Sequence, residues 1–362
     1  LQKLKEAGIS AGLRSSNIRV VDPALVPQSP SQPQPRRNIS LAILVGLVGG
    51  IGLALLREYL DNTVKNPDDI ENLARLPSLA VVPAFANPNS NTRRSRLPKL
   101  LKGPSSLARE GRVELVSHLQ PQSQISEAFR ALRTSLLLSQ ADRPPQVILM
   151  TSALPREGKT TAAVNLAVTL AQLGDKTLLV DGDLRKPGVS RALHLTGSKH
   201  AGLSSYLAGV STLDLITVPH AVISNLAVIP TGPVPPNPAD LLSSHRLTEM
   251  VLELRRRYKF VVIDSPPIMA ATDAVILSVL ADGVLLVVRS GETPKEAFTR
   301  TRDLLTSVKS RVLGVVLNAV DASSPDYYYS YRYYPYSYGG YGHEDREKKP
   351  GVKEEEGVEL NA

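Results

Sequence analysis

"QVILMTSALPREGKTTAAVNLAVTLAQLG", residues 146 to 174, decides the reading of this chain. An apolar run rich in β-formers passes into a turn ending Gly158-Lys159-Thr160, and a helical stretch follows, closed by Gly174. Strand, turn and helix in that order are what a phosphate loop requires. Backbone N–H groups at the helix N-terminus face the anion, and glycine lets the backbone come close. The full pattern wants glycine six residues before the lysine, and Ala153 stands there, so the loop is of the deviant Walker A type. The residues expected to hold ATP are Pro155, Arg156, Glu157, Gly158, Lys159, Thr160 and Thr161, with Lys159 reaching the β- and γ-phosphates and the Thr160 hydroxyl on Mg²⁺. Arg156 either adds charge beside the phosphates or points to water. The plain alternative for Gly-Lys-Thr taken alone is an ordinary helix start.

Downstream, the apolar runs "KTLLVDGD", "NLAVIPTG", "KFVVIDSPP", "GVLLVVRSG" and "RVLGVVLNAV" alternate with helical stretches. Continuous Val, Ile and Leu mark strands buried on both faces. The expected fold is therefore α/β, a doubly wound, mostly parallel sheet of the P-loop NTPase kind, over residues 121 to 325. Asp181 and Asp183 end one strand and Asp264 another, at the carboxyl edge where such sheets bind ligands. Three apolar residues followed by Asp264 make a Walker B arrangement. Thr160, Asp183 and Asp264 are read as the Mg²⁺ shell, Lys159 as the cationic clamp and Asp181 as the group accepting a proton. For Asp183 the alternative is a cap on the next helix.

Other classes are excluded by composition. The chain has no cysteine, which removes disulfides and thiolate metal sites, and its six histidines lack ligand spacing. A net charge of +8 over 362 residues, without a basic stripe interleaved with aromatics, argues against nucleic acid.

Upstream, Ile39 to Leu56 is free of charge. Those residues make a helix of roughly 27 Å at ~1.5 Å per residue, close to a bilayer's ~30 Å hydrocarbon core. It is read as a transmembrane helix, with Gly46, Gly50 and Ala54 forming a small-residue face. Residues 1 to 38, Pro-rich and opening on Leu1, read as the remnant of an extracytoplasmic stalk and the chain as a fragment. Residues 57 to 120 read as a cytoplasmic linker without an obvious core. Nine of the twelve tyrosines fall within residues 326 to 342 (Tyr327, Tyr328, Tyr329, Tyr331, Tyr333, Tyr334, Tyr336, Tyr338 and Tyr341), and a charged, disordered tail is expected over 343 to 362. By itself the tyrosine cluster would also suit an adhesive low-complexity segment.

These pieces resemble one family: the bacterial tyrosine kinases, or BY-kinases, of exopolysaccharide and capsule assembly, in the form fused to a chain-length-determinant (polysaccharide co-polymerase) membrane domain. The matching motifs are "SALPREGKTT", "LLVDGDLRKP", "VVIDSPP", "IPTGPVPPNPADLL", the tyrosine cluster and the segment "REYLDNTVKNPDDIENLARLPSLAVVP". In "ISEAFRALRTSL" the spacing of Glu127, Arg130 and Arg133 is similar to the family's oligomerisation motif; its local alternative is an exposed helix with i, i+3 ion pairs. The resemblance implies an ATP- and Mg²⁺-dependent autokinase in a homo-oligomeric ring at the bacterial inner membrane, its kinase domain cytoplasmic. Each subunit would phosphorylate the tyrosine tails of its neighbours. The implied partners are the polysaccharide polymerisation and export machinery and a cognate tyrosine phosphatase. Two departures stand out: Arg156, where many members carry glycine, and Lys259, where aspartate is usual.

Two rival readings share the loop. A partition-type ATPase would carry a lysine near the loop's start, and Thr151 to Leu154 offer none. Retention of Lys159, Asp181, Asp183 and Asp264 counts against a nucleotide-binding scaffold without kinase activity.

Overall fold

The computed structural model describes residues 33–85, 115–140, 143–195 and 201–321. The tyrosine cluster, the charged tail and most of the expected stalk lie outside these residues. The chain divides after Asp61 into two units.

The first unit contains one described helix, α1 (Pro35–Leu60), longer at both ends than the uncharged run. Pro35 lies in its first turn, where a missing N–H costs nothing. Its best 18-residue window has a mean hydropathy of 2.5 and none of it is buried within the protein, so it is long and apolar enough to cross a membrane. A side chain grown on Gly46 or Gly50 would meet nothing within 4 Å, leaving that face open.

The second unit contains, in chain order, α2 (Pro67–Ala74), β1 (Ser78–Pro83), α3 (Gln124–Leu137), β2 (Val147–Ser152), α4 (Lys159–Ala171), β3 (Thr177–Asp181), β4 (Val218–Pro219), β5 (Leu226–Ile229), α5 (His245–Arg257), β6 (Phe260–Asp264), α6 (Asp273–Leu280), β7 (Gly283–Arg289), α7 (Lys295–Ser307) and β8 (Val312–Val320), with shorter helical turns between them. The eight strands form one sheet in the order β1-β8-β7-β2-β6-β3-β5-β4. Every pairing is parallel except that of β4 with β5. β2, carrying the phosphate loop, is central, between β7 and β6. Its six residues are all buried, as are those of β3, β5 and β6, because helices cover both faces. One face packs α3 and α4 against Ile148, Met150, Leu179 and Val262. The other packs α5 and α6 against Leu149, Val180 and Ile263.

The linker expected from residue 57 to 120 needs correction, because Asn62 to Pro83 are built into this unit. β1 pairs in parallel with β8. Val64, Ile70 and Ala74 are buried against Leu286, Val288, Phe298, Val315 and Leu317. The Asp69 carboxylate accepts hydrogen bonds from Lys65 N (3.1 Å) and Asn66 N (3.4 Å) and pairs with Lys295 Nζ (2.9 Å). An eight-residue helix and a six-residue strand are too short for a periodicity argument; burial against α7 and β8 makes them structure. Leu115 and Val116 also join the core, inside the expected linker's far end.

Replacing Ile70 by Ala is expected to cost ~2–5 kcal/mol, as for a buried aliphatic truncation. The measurement is urea unfolding followed by circular dichroism. A loss within experimental error would mean that this segment is not part of the cooperative unit.

Candidate active site

The phosphate loop is held from three directions. Gly158 sits at φ +93°, and a Cβ there would come within 2.1 Å of Asn318 Nδ2, so both backbone conformation and space call for glycine. Asn318, near the end of β8, donates from Nδ2 to the Glu157 carbonyl (2.8 Å). Arg156 adopts φ +70°, a conformation that costs a residue with a Cβ. Its carbonyl accepts from Arg289 Nη1 (3.2 Å), which helps hold that turn.

Glu157 was expected among the ATP ligands, but its side chain is buried and turned into the loop's own scaffold. One carboxylate oxygen accepts from Leu154 N (2.9 Å), and the other is hydrogen-bonded to the buried Thr293 hydroxyl. Burial pushes its pKa up against those hydrogen bonds. Pro155 and the Arg156 side chain are exposed, while Gly158, Lys159, Thr160 and Thr161 are partly buried at the start of α4. No side chain caps that helix. The free N–H groups of its first turn are therefore available to an anion, as a phosphate cradle requires.

Sheet register delivers the carboxylates. Asp181 and Asp264 are paired residues of β3 and β6. Paired residues of parallel strands face the same side, and both share the alternation of Leu179 and Val262, the α4 face. Lys159 Nζ reaches in among them, 3.1 Å from Asp183 Oδ2 and 3.8 Å from Asp264 Oδ1. Thr160 donates its hydroxyl to Asp264 Oδ2 (2.6 Å). Asp183 Oδ1 accepts from Lys186 N (2.9 Å) within the loop after β3 while Oδ2 meets Lys159, so Asp183 does not cap the next helical turn, Val189–Ala192, whose N-cap is Gly188. It is Asp181, through Oδ2, that accepts from Val189 N (3.0 Å) at the next helical turn.

Burial and mutual repulsion raise the acid pKa values. Asp181 is pushed up to about 7 by burial and by Asp264. Asp264 is raised to about 6 by burial, against the pull of Lys159 and Thr160. Burial opposes the Lys159 charge, but Asp264 and Asp183 outweigh it and hold its pKa above the usual value.

Asp181 Oδ1 and Asp264 Oδ1 are buried with no hydrogen-bond partner. Such orphaned anionic oxygens fit a cation beside them. Among the described residues no group of three or more His, Cys, Asp or Glu forms a closed metal cage. That donor set suits Mg²⁺, which takes one or two carboxylates or a hydroxyl and completes its shell with water and phosphate.

Some partners were invisible in the sequence motifs. Arg185 places Nε and Nη2 on the two oxygens of buried Asp273 (2.8 and 2.9 Å). Thr293, Arg289 and Asn318 come from β7, β8 and the loop after β7, more than 130 residues from the loop they brace; only tertiary placement reveals them. The proposed oligomerisation residues lie on α3 away from this edge. Glu127 and Arg130 form an i, i+3 ion pair, Arg130 Nη2 donates to Pro121 O (2.7 Å), and Arg133 Nη1 donates to Thr169 O (2.9 Å).

A mostly parallel sheet with a phosphate loop between β2 and α4, and a lysine drawn onto strand-end aspartates, defines a P-loop NTPase fold. An AAA-domain family profile matches residues 146–312. A second profile, described as "G-rich domain on putative tyrosine kinase", matches residues 1–59. Tyrosine-protein kinase YwqD of Bacillus subtilis (strain 168) is 41% identical over 214 residues, covering 59% of this chain and 89% of that protein. Tyrosine-protein kinase etk of Escherichia coli (strain K12) is 31% identical over 320 residues, covering 88% of this chain. The chain spans 43% of that longer relative. The solved kinase domain of Escherichia coli tyrosine kinase ETK aligns with a TM-score of 0.62 and 27% identity, over 76% of this chain and 100% of that domain. This chain belongs to the bacterial protein-tyrosine kinase family.

The raised acid at position 181 has a consequence for stability. A carboxyl whose folded pKa lies above its unfolded value of 3.8 contributes fully below 3.8 and loses that contribution as pH rises through about 7. Asp181→Asn removes the ionisation. Without nucleotide or metal, the variant's melting temperature should gain on the wild type's between pH 5 and pH 8, by a few degrees. An unchanged difference across that range would show that Asp181 carries no buried-charge cost.

Proposed function

We propose that this chain is the kinase portion of an autophosphorylating membrane protein that transfers the γ-phosphoryl of ATP to tyrosines 327 to 341 of neighbouring copies. The observation carrying this reading is the convergence of Lys159, Thr160, Asp181, Asp183 and Asp264 at the carboxyl edge toward which β8, the last strand before the tyrosines, also runs.

Bound Mg²⁺-ATP supplies the phosphoryl group and neutralises part of its charge. Lys159 would bind the β- and γ-phosphates on leaving its carboxylate partners, and Thr160, Asp183 and Asp264 would hold the ion. Asp181 takes the phenol proton: tyrosine's pKa near ~10 demands a base at neutral pH, and burial has raised this carboxylate toward the working range. α4 and α6, packed on opposite faces, keep the acids dry on the sheet side.

Six residues lie between Val320 and Tyr327, so seven steps of ~3.5 Å give a reach of at most ~25 Å. A tether that short, leaving beside its own site, is better suited to a neighbour's pocket than to folding back. Half-exposed Glu127 and partly exposed Arg130 on α3 remain accessible to a neighbour, whereas Arg133 is committed to Thr169 within its own subunit. We assign α1 to the inner membrane, with the residues after it in the cytoplasm where ATP is. The polysaccharide polymerisation and export machinery is the assigned client, and a tyrosine phosphatase resets the tail. Several phosphates of about −1.5 to −2 charges each make neighbouring tails repel and loosen the ring.

Lys159→Ala is expected to abolish phosphotyrosine formation with ATP and Mg²⁺, read as intact mass; persistent labelling would refute the clamp. Mixing that variant with an active protein lacking residues 326 to 362 tests the route. Transfer between copies puts label on the inactive partner, whereas an unlabelled partner would leave only transfer within one chain.

A further inference from the structure

Asp273 is 0% exposed at the first position of α6, and both its oxygens are taken by one guanidinium, that of Arg185. A fully buried carboxylate is costly to keep, and a two-point fork fixes a planar guanidinium in position and plane. Yet the Arg185 side chain it holds is 44% exposed, so the pair is not sealed into the core. Arg185 lies two residues after Asp183, whose Oδ1 accepts from the Arg185 and Lys186 amides (3.3 and 2.9 Å) and whose Oδ2 meets Lys159 Nζ (3.1 Å). Nε and Nη2 are committed to Asp273, and among the described residues Nη1 has no acceptor.

The reaction needs a cation that the loop does not supply. Charge spreads over the three equatorial oxygens of the phosphoryl group as it passes from ADP to the phenol, and Lys159 is a single point charge on the nucleotide side. Thr151 to Leu154 contain no second lysine. Two other cations are close in sequence to the site, Arg156 and Lys186, but both are exposed and neither side chain is held by a partner among the described residues. Of these three, Arg185 alone is held in place by another side chain.

We infer that Arg185 contacts the transferring phosphoryl group on the acceptor side through its free Nη1 edge, and that Asp273 is the positioning residue that aims it. This rests on the kinase reading above. In the step, the phenol oxygen forms its bond to the γ-phosphorus, the bond to the β–γ bridging oxygen breaks with its electrons leaving on ADP, and the phenol proton passes to Asp181. Arg185 gains or loses no proton; it offsets charge that is greatest in the transition state.

The test uses the full chain in detergent, with the initial rate of phosphotyrosine formation at saturating ATP and Mg²⁺, Mg²⁺-ADP affinity by calorimetry, and affinity for the transition-state mimic Mg²⁺-ADP-vanadate. Arg185→Lys keeps the charge and loses the fork. It should lower kcat by ~10²-fold, as for loss of one aimed transition-state donor, and weaken vanadate trapping alongside it. Mg²⁺-ADP affinity should stay within about two-fold, since only transition-state binding is lost. Asp273→Asn should lower kcat by about ten-fold, and the double variant should be no slower than Arg185→Lys, because the two act as a unit. If Asp273→Asn does not fold, Asp273→Glu displaces the fork by one methylene and should show the same split. A folded Arg185→Lys protein with wild-type kcat, or one whose Mg²⁺-ADP affinity falls as far as its rate, overturns the inference. A wild-type protein that forms no phosphotyrosine overturns instead the kinase reading on which it rests.

Discussion

Buried negative charge at the ends of β3 and β6 is the constraint around which the rest is arranged. Asp181 and Asp264 are brought side by side by strand register, and Asp183 follows one turn of chain later. Such a cluster is tolerable only with a cation in its midst, and that cation is Lys159. On the proposed reading the same lysine would leave to bind phosphates and a divalent ion would take its place among the acids, so that lysine, metal and nucleotide binding would be coupled by electrostatics.

That exchange needs a loop stiff enough to present its amides yet free of side chains in the cradle. Glu157 and Thr293 tie the loop from beneath, Asn318 fills the space a Cβ would need at Gly158, and Arg289 holds the carbonyl of a residue at positive φ. The bracing comes from β7, β8 and the turn after β7. Those elements are in turn covered by Val64 and Ile70, and Val64 N donates to Thr293 O (2.9 Å). The segment that follows α1 in sequence is therefore two contacts from the phosphate loop, and β1 covers the edge of β8 that would otherwise present unpaired backbone groups.

Much of this was legible in the sequence, and for stated reasons. Six of the eight strands were readable because parallel strands buried on both faces are continuous apolar runs. The loop, Asp181, Asp183 and Asp264 were readable because phosphate chemistry needs particular residue types at a strand end. β1, β4 and α2 were not, being too short to show a period. Glu157 was grouped with the ATP ligands because adjacency in the loop says nothing about which way a side chain turns.

By itself the sequence determined the chemistry: a phosphate loop, three carboxylates at strand ends, an apolar helix and a store of phenols. Those follow from local pattern, which needs no knowledge of distant neighbours. Only the tertiary structure decided which carboxylate oxygens are spoken for and which are orphaned, that Arg185 is held by Asp273, and that residues 62 to 83 belong to the sheet. Each of these depends on register and packing between segments far apart in the chain, where the energy of a pairing is set by burial and geometry and not by spacing along the backbone.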